Sequence, residues 1–156
     1  MREFAIIILM LSSNFCVLAQ NKDPFQIECV TVESNNSITI KIWNTKSGKK
    51  YKQEQARKDA IIAVLFSGVP GNNGCVMQKP ILSTQEEKEN FKKIEKTFFS
   101  KKGSWSNYTR EATTENTLPE SIGEKSWKVY IVSVSKDILR RYLEEKKIIK
   151  TLNTGF

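Results

Sequence analysis

The stretch KVYIVSVSKDILRRYLEE, residues 128–145, decides the fold class because a strand and a helix follow each other directly in it. Its first part is almost continuously apolar from Val129 to Val134, which is typical of a central strand covered on at least one face. Ser135 follows and is expected to cap the next helix. The second part carries apolar residues at helical spacing, namely Ile138, Leu139, Tyr142 and Leu143. This strand-to-helix unit predicts a mixed architecture of helices and sheet.

Upstream of this unit, two segments predict a β-hairpin. Residues 26–32 are rich in β-forming side chains, and residues 37–43 alternate strictly. In the second segment Ile38, Ile40 and Ile42 point to one face. The polar turn at residues 33–36 separates the two segments, as in a hairpin.

Two further helices are predicted between the hairpin and the final strand. The first covers residues 51–66, where small alanines at spacings of three and four would let the helix lie close to a sheet. Gly68 and Pro70 end it. The second covers residues 84–100 and begins with the capping box Thr84-Gln-Glu-Glu87. Its buried stripe consists of Phe91, Ile94 and Phe98.

The complete pattern predicts an α+β fold with a small, mostly antiparallel sheet, helices packed on one face, and the element order ββα-α-ββα. Residues 104–113 are the expected third strand, and residues 114–125 are expected to form a loop. The apolar residues in the tail, 146–156, indicate that it docks on the body of the protein.

The first 19 residues have the features of a cleaved secretory signal peptide. Arg2 precedes a short apolar run, and Val17-Leu-Ala19 resembles a cleavage site. A membrane anchor, a buried helix and a lipoprotein signal at Cys16 are the alternatives; Phe15 is too large for the position before a lipidated cysteine. The prediction is a signal peptide over residues 1–19 and one α+β domain over residues 20–156.

Signal cleavage would remove Cys16 and leave Cys29 and Cys75 in an oxidising compartment. An even number of cysteines in such a compartment predicts a disulfide between Cys29 and Cys75. The alternative is a pair of buried, unlinked cysteines acting as small apolar residues.

The chemistry of the chain argues against catalysis. The sequence contains no histidine, which excludes Ser-His-Asp and Cys-His nucleophilic systems. Ser-x-x-Lys pairs occur at Ser47/Lys50 and Ser133/Lys136, but a chain this rich in serine and lysine produces such pairs by chance. The glycine-rich loop at residues 68–74 lacks the Gly-Lys-Ser/Thr of a phosphate loop. We therefore expect no enzyme activity, no cofactor and no metal site.

The net charge of +8 comes from 25 Lys and Arg against 17 Asp and Glu. Because the bases are mainly dispersed lysines, a solvated surface is the first interpretation. Contact with an anionic envelope surface is the second, and sequence-specific nucleic-acid binding is not expected. Trp43, Trp105 and Tyr108 are the possible interaction residues, either as a glycan-stacking platform or as part of the core.

Three segments carry a resemblance to known proteins: QARKDAIIAVLFSG (residues 55–68), GVPGNNGC (residues 68–75) and the strand–helix unit at residues 128–145. With its opening strand and the first and third of these segments, the chain resembles small α+β domains of the bacterial envelope, found in certain outer-membrane lipoproteins and at the amino terminus of a flagellar-assembly protein. With GVPGNNGC and its Ile-Ile-Lys…Gly-Phe ending, it also resembles uncharacterised secreted bacterial proteins.

The leading functional hypothesis is an exported, non-enzymatic accessory or protein-interaction domain of the bacterial envelope, with an unknown envelope protein as partner. An exported binding module for a glycan or an anionic surface is the alternative, and a secreted hydrolase is third. The expected location is the periplasm, the outer-membrane periphery or the exterior, and the mature chain is not expected to be an integral membrane protein.

Overall fold

The protein is built on a four-stranded antiparallel sheet in a computed structural model that describes residues 24–72, 74–112, 121–122, 125–126 and 128–151. The strands stand in the order β1-β2-β6-β3, and β4 and β5 form a separate two-stranded ribbon. The six strands are β1 (Phe25–Val32), β2 (Ser37–Asn44), β3 (Thr109–Glu111), β4 (Ser121–Ile122), β5 (Lys125–Ser126) and β6 (Val129–Ser135). The predicted α+β class with a mostly antiparallel sheet is confirmed.

The two central strands supply the apolar face of the sheet. Ile38 of β2 stands opposite Val134 of β6, and Ile40 stands opposite Val132. All four side chains are buried in the main core. The alternation that predicted the strand therefore also determines which face receives the helices.

Three α-helices complete the fold: α1 (Gln53–Ile62), α2 (Gln85–Phe98) and α3 (Lys136–Glu145). The alanines of α1, at positions 56 and 60, are fully buried, and α1 contacts β2, β3 and β6. Small side chains permit this close approach of a helix to a sheet. Helix α1 continues directly into a π-helical segment, Ala63–Ser67. The predicted helix of residues 51–66 therefore corresponds to α1 followed by this π-helical segment.

An aromatic cluster joins α2 and α3. The ring of Phe91 makes edge-on contacts with Phe66, Phe98 and Phe99, at centroid distances of 5.4–6.2 Å. Tyr142 of α3 lies 5.7 Å from Phe98. Such contacts stabilise the fold beyond the area that the rings bury, and they hold the carboxyl-terminal ends of α2 and α3 together.

The predicted strand at residues 104–113 is only partly correct. A 3₁₀-helix occupies Ser104–Tyr108, and β3 is limited to the three residues that follow. A 3₁₀ turn places Trp105 and Tyr108 on one side, and both are buried. The Trp105 Nε1 atom also donates a 3.0 Å hydrogen bond to the Ser100 carbonyl, which holds the turn against the end of α2.

The predicted cap of α3 is also corrected. Ser135 precedes α3 but makes no side-chain capping hydrogen bond. It is instead the last residue of β6, where it pairs with Ser37 of β2. Its backbone belongs to the sheet, so its side chain is not oriented as an N-cap.

Several predictions concern residues outside the described ranges: the signal peptide over residues 1–19, most of the loop before residue 121, Trp127 and the last five residues. Of the tail, Ile148 and Ile149 are described, and both are buried, as docking requires. Among the helices that the structure describes, none has both the length and the apolarity needed to cross a bilayer.

Candidate functional site

Cys29 of β1 and Cys75 are joined by a disulfide, with their Cα atoms 6.2 Å apart. The predicted pairing is therefore present in the structure, in place of two separate thiols. The bond attaches the segment after α1 to an edge strand, since β1 pairs with β2 alone among the strands that the structure describes. We refer to residues 69–79 as the disulfide loop; Asn73 within it lies outside the described residues.

The disulfide loop closes on itself at its base. Val69 and Gln78 exchange two backbone hydrogen bonds of 2.8 and 2.9 Å. Just beyond the loop, the N–H of Ile81 donates to the carbonyl of Val64 at 3.1 Å, within the π-helical segment. The chain thus enters and leaves the loop at the same place, next to the end of α1.

Two side chains attach the loop to the rest of the fold. The Asn72 Oδ1 atom accepts a 3.1 Å hydrogen bond from the backbone N–H of Cys29. From α3, the Lys136 Nζ atom donates to Gln78 Oε1 at 3.1 Å and to the Lys79 carbonyl at 3.2 Å. Burial, together with the charge of Arg140, lowers the pKa of Lys136, while the charge of Asp137 opposes that shift. The loop is therefore held at both β1 and α3.

The far end of this fixed loop is apolar and exposed. Val76 is 74% exposed and Met77 is 64% exposed. Val30, 42% exposed, follows Cys29 at the irregularity where the β1–β2 register shifts. Of the four large apolar side chains exposed in the described part of the chain, three belong to residues within two positions of Cys29 or Cys75, and Ile138 is the fourth. Scattered exposed apolar residues are ordinary, whereas a group of them is typical of a contact surface.

The aromatic residues chosen from the sequence lie elsewhere and are buried. Trp105 and Tyr108 belong to the main core on the helix-covered side of the sheet. Trp43 alternates with the buried isoleucines, lies outside that cluster, and is only 7% exposed. All three side chains are therefore buried, and Trp43 lies outside the core cluster that contains the other two.

Among the described residues, neither Ser-x-x-Lys pair has a hydrogen bond between its serine hydroxyl and its lysine amino group. The backbone N–H of Lys50 bonds to the Ser47 carbonyl at 2.9 Å, as in any tight turn. The Ser133 Oγ atom is buried without a hydrogen-bond partner, while the Lys136 amino group binds the disulfide loop. Across the described ranges, no group of three or more Cys, Asp or Glu side chains is placed to hold a metal ion.

The sequence alone could not reveal that the far end of this loop is exposed. The run GVPGNNGC indicates a reversal, and Cys75 indicates a disulfide, but the exposure of Val76 and Met77 depends on how distant elements hold the loop. Comparisons with protein-family models, with curated proteins and with solved structures find no match to this chain.

Proposed function

We propose that this protein is an exported, non-enzymatic interaction domain of the bacterial cell envelope, and that it binds a partner protein through the disulfide loop. One observation carries the proposal: Val30, Val76 and Met77 are all exposed, and each lies within two residues of a cysteine of the Cys29–Cys75 bond. The proposed contact residues are these three side chains.

The construction of the loop supports this role. Binding residues are often found on loops that a rigid scaffold positions. Here the scaffold consists of a disulfide, a backbone bridge and side-chain bonds from Asn72 and Lys136. A loop that is ordered before binding loses little conformational entropy on binding, so more of the free energy of apolar burial contributes to affinity.

The disulfide also supports export. Disulfides persist in oxidising compartments and are rare in the reducing cytosol. We propose that a signal peptide over residues 1–19 directs the chain out of the cytoplasm, and that the mature protein acts in the periplasm, at the outer-membrane periphery or outside the cell. Its partner is then an envelope or extracellular protein.

Site-specific photo-crosslinking in the native host tests the contact surface. A photoreactive amino acid is placed at position 76 or 77, and at position 92 as a matched control, because Lys92 is also exposed but belongs to α2. We expect one discrete protein adduct from positions 76 and 77 and none from position 92. The same adduct from all three positions, or no adduct from any, overturns the proposal.

Purified components then test the chemistry of the contact. Once the crosslinked partner is identified, the double variant Val76→Ser/Met77→Ser should weaken its binding by tenfold or more, since burial of each side chain contributes about 1.5 kcal/mol or more. Ile138→Ser is the control, because among the described residues it removes the fourth large exposed apolar side chain, which belongs to α3 and not to the disulfide loop or β1. Equal weakening by both variants would contradict a specific role for the loop.

A further inference from the structure

A second surface feature, separate from the apolar disulfide loop, is positively charged. A cleft of about 390 Å³ opens between the carboxyl-terminal ends of α2 and α3. We call it the lysine cleft because Lys93, Lys102 and Lys146 line it. The turn after α2 forms one wall: the Gly103 N–H bonds to the Ser100 carbonyl at 2.9 Å, and a Cβ atom at Gly103 would overlap the Phe98 carbonyl.

The lining of this cleft carries positive charge and no carboxylate. Lys102 and Lys146 make no ion pair in the part of the chain that the structure describes, although the Lys146 Nζ atom lies over the Tyr142 ring, 5.7 Å from its centroid. The Lys93 amino group bonds to the Asn90 Oδ1 atom at 2.9 Å, and that amide is neutral. All three lysines are exposed, so their charges lie at the rim.

Part of the positive charge at this cleft is explained by helix stability. Cations stabilise the carboxyl-terminal end of a helix, which carries about half a negative charge. The ends of α2 and α3 together supply about −1, and Glu145 beside Lys146 supplies another −1. Glu144 is already paired with Arg140 at 3.1 Å. Three lysines therefore leave a net charge of about +1, more than the helix ends require.

The inner part of the cleft is aromatic. Phe98 is buried, and Tyr142 is half-buried with its ring 5.7 Å from Phe98 and 5.3 Å from Tyr108. These contacts hold the Tyr142 ring in position. The hydroxyls of Thr97, Ser100 and Ser104 also line the cleft, and each can donate or accept a hydrogen bond.

We propose that the lysine cleft binds an anionic sugar, of the class of a phosphorylated hexose. The lysines match the anionic group, the hydroxyls match the sugar hydroxyls, and the aromatic surface matches the C–H face of the ring. The volume is at the small end of ligand pockets, about 300–1,000 Å³, and suits a small ligand better than a long chain. Sugar binding in the lysine cleft does not depend on the protein binding proposed for the disulfide loop.

Calorimetric titration of the full mature chain tests the site with three probes: glucose 6-phosphate, glucose and inorganic phosphate. We expect glucose 6-phosphate to bind more tightly than either of the others, because only it engages both the lysines and the aromatic surface. Equal binding of inorganic phosphate, or no binding of glucose 6-phosphate, overturns the proposal. Vesicles containing an anionic lipid form a fourth arm; affinity for them at least equal to that for glucose 6-phosphate would indicate a membrane surface and overturn it too.

Two matched double variants distinguish binding in the lysine cleft from binding to the general positive charge of the surface. Lys102→Gln/Lys146→Gln removes two charges from the rim, and Lys92→Gln/Lys96→Gln removes two exposed charges from α2 outside the cleft. We expect the first pair to lower the affinity for glucose 6-phosphate by about tenfold or more, and the second to change it less than twofold. Equal effects of the two pairs contradict the proposal. Thermal unfolding of each variant verifies that the fold is retained.

Discussion

The Tyr51 hydroxyl donates a 2.8 Å hydrogen bond to the Oδ2 atom of Asp59, a residue that is only 4% exposed. Gln55 donates to the other carboxylate oxygen at 2.7 Å. The carbonyl of Tyr51 in turn accepts a 3.0 Å bond from the hydroxyl of Tyr130 in β6. This chain of contacts connects the start of α1 to the sheet and provides hydrogen bonds to a carboxylate in the core.

Replacing Tyr51 by phenylalanine should destabilise the protein by about 1.5–3 kcal/mol, because a buried carboxylate loses a hydrogen bond. Urea unfolding measures the change. Tyr130→Phe is the control: it removes a bond to a neutral carbonyl and should cost only about 0.5–1.5 kcal/mol. An equal cost for the two variants would contradict the importance of the Tyr51–Asp59 contact.

The same contact predicts sensitivity to alkaline pH. Burial, the charge of Asp59 and the hydrogen bond to it raise the pKa of Tyr51 in the folded protein. The unfolded chain ionises Tyr51 near pH 10, so above this pH the unfolded state binds fewer protons and the stability from Tyr51 declines. The difference in free energy of unfolding between the wild type and Tyr51→Phe should therefore become smaller as the pH rises from about 9 to 11, across the unfolded pKa of tyrosine. A difference that stays constant over this range would show that ionisation of Tyr51 does not affect stability.

Removing the disulfide should reduce stability substantially. Cys29 and Cys75 are 46 residues apart in the chain, and the chain-entropy model gives at most about 4 kcal/mol for a loop of this length. Unfolding of Cys29→Ala/Cys75→Ala in urea should show a loss of about 2–4 kcal/mol. Thiol titration of the unfolded, unreduced wild type should find neither of these cysteines free. Two reactive thiols at these positions would refute the bond.

Gly68, which precedes the disulfide loop, should not tolerate a side chain. Its φ of +77° is unfavourable for other residues, and a Cβ atom there would overlap the Gln78 carbonyl. Gly48→Ala is a matched control, since Gly48 also has a positive φ, +50°, but has open space around it. Gly48→Ala should cost about 1 kcal/mol from backbone strain alone. Gly68→Ala should cost more by thermal unfolding, and a smaller cost would contradict the close contact.

The capping box of α2 should stabilise the folded protein at mildly acidic pH and above. Burial raises the pKa of Glu87, but hydrogen bonds from Thr84 and Ser83 outweigh it and lower the pKa overall. A carboxyl with a lowered pKa stabilises the fold above its unfolded pKa of about 4.3, and that stability is lost as the pH falls through the lowered folded value. The free energies of unfolding of wild type and Glu87→Gln should therefore differ at pH 6 and converge as the pH falls below the unfolded pKa of about 4.3. Parallel curves would exclude this contribution.

Local features of this protein could be deduced from the sequence because short-range physics decides them. The alternation of Ile38, Ile40 and Ile42 places these side chains on one face, since successive strand residues point to opposite sides. The hydrogen bonds of the Thr84–Glu87 capping box join residues three apart, so a four-residue pattern is sufficient to predict them. The pairing of Cys29 with Cys75 joins residues far apart in the chain, and it could be predicted by counting, because only these two cysteines follow residue 19.

Tertiary structure alone decided the features that depend on residues far apart in the chain. Trp43 is buried although it alternates with the isoleucines of the core, and its cross-strand partners, Gln26 and Val129, are far from it in the chain, so no local pattern specifies them. Ser135 remains in the sheet because Ser37 pairs with it, although its own sequence context favours a helix cap. The exposed tip of the disulfide loop and the charged lysine cleft likewise form where distant elements meet. Local periodicity records which side of an element is apolar, whereas long-range packing determines which side chains remain available to a partner.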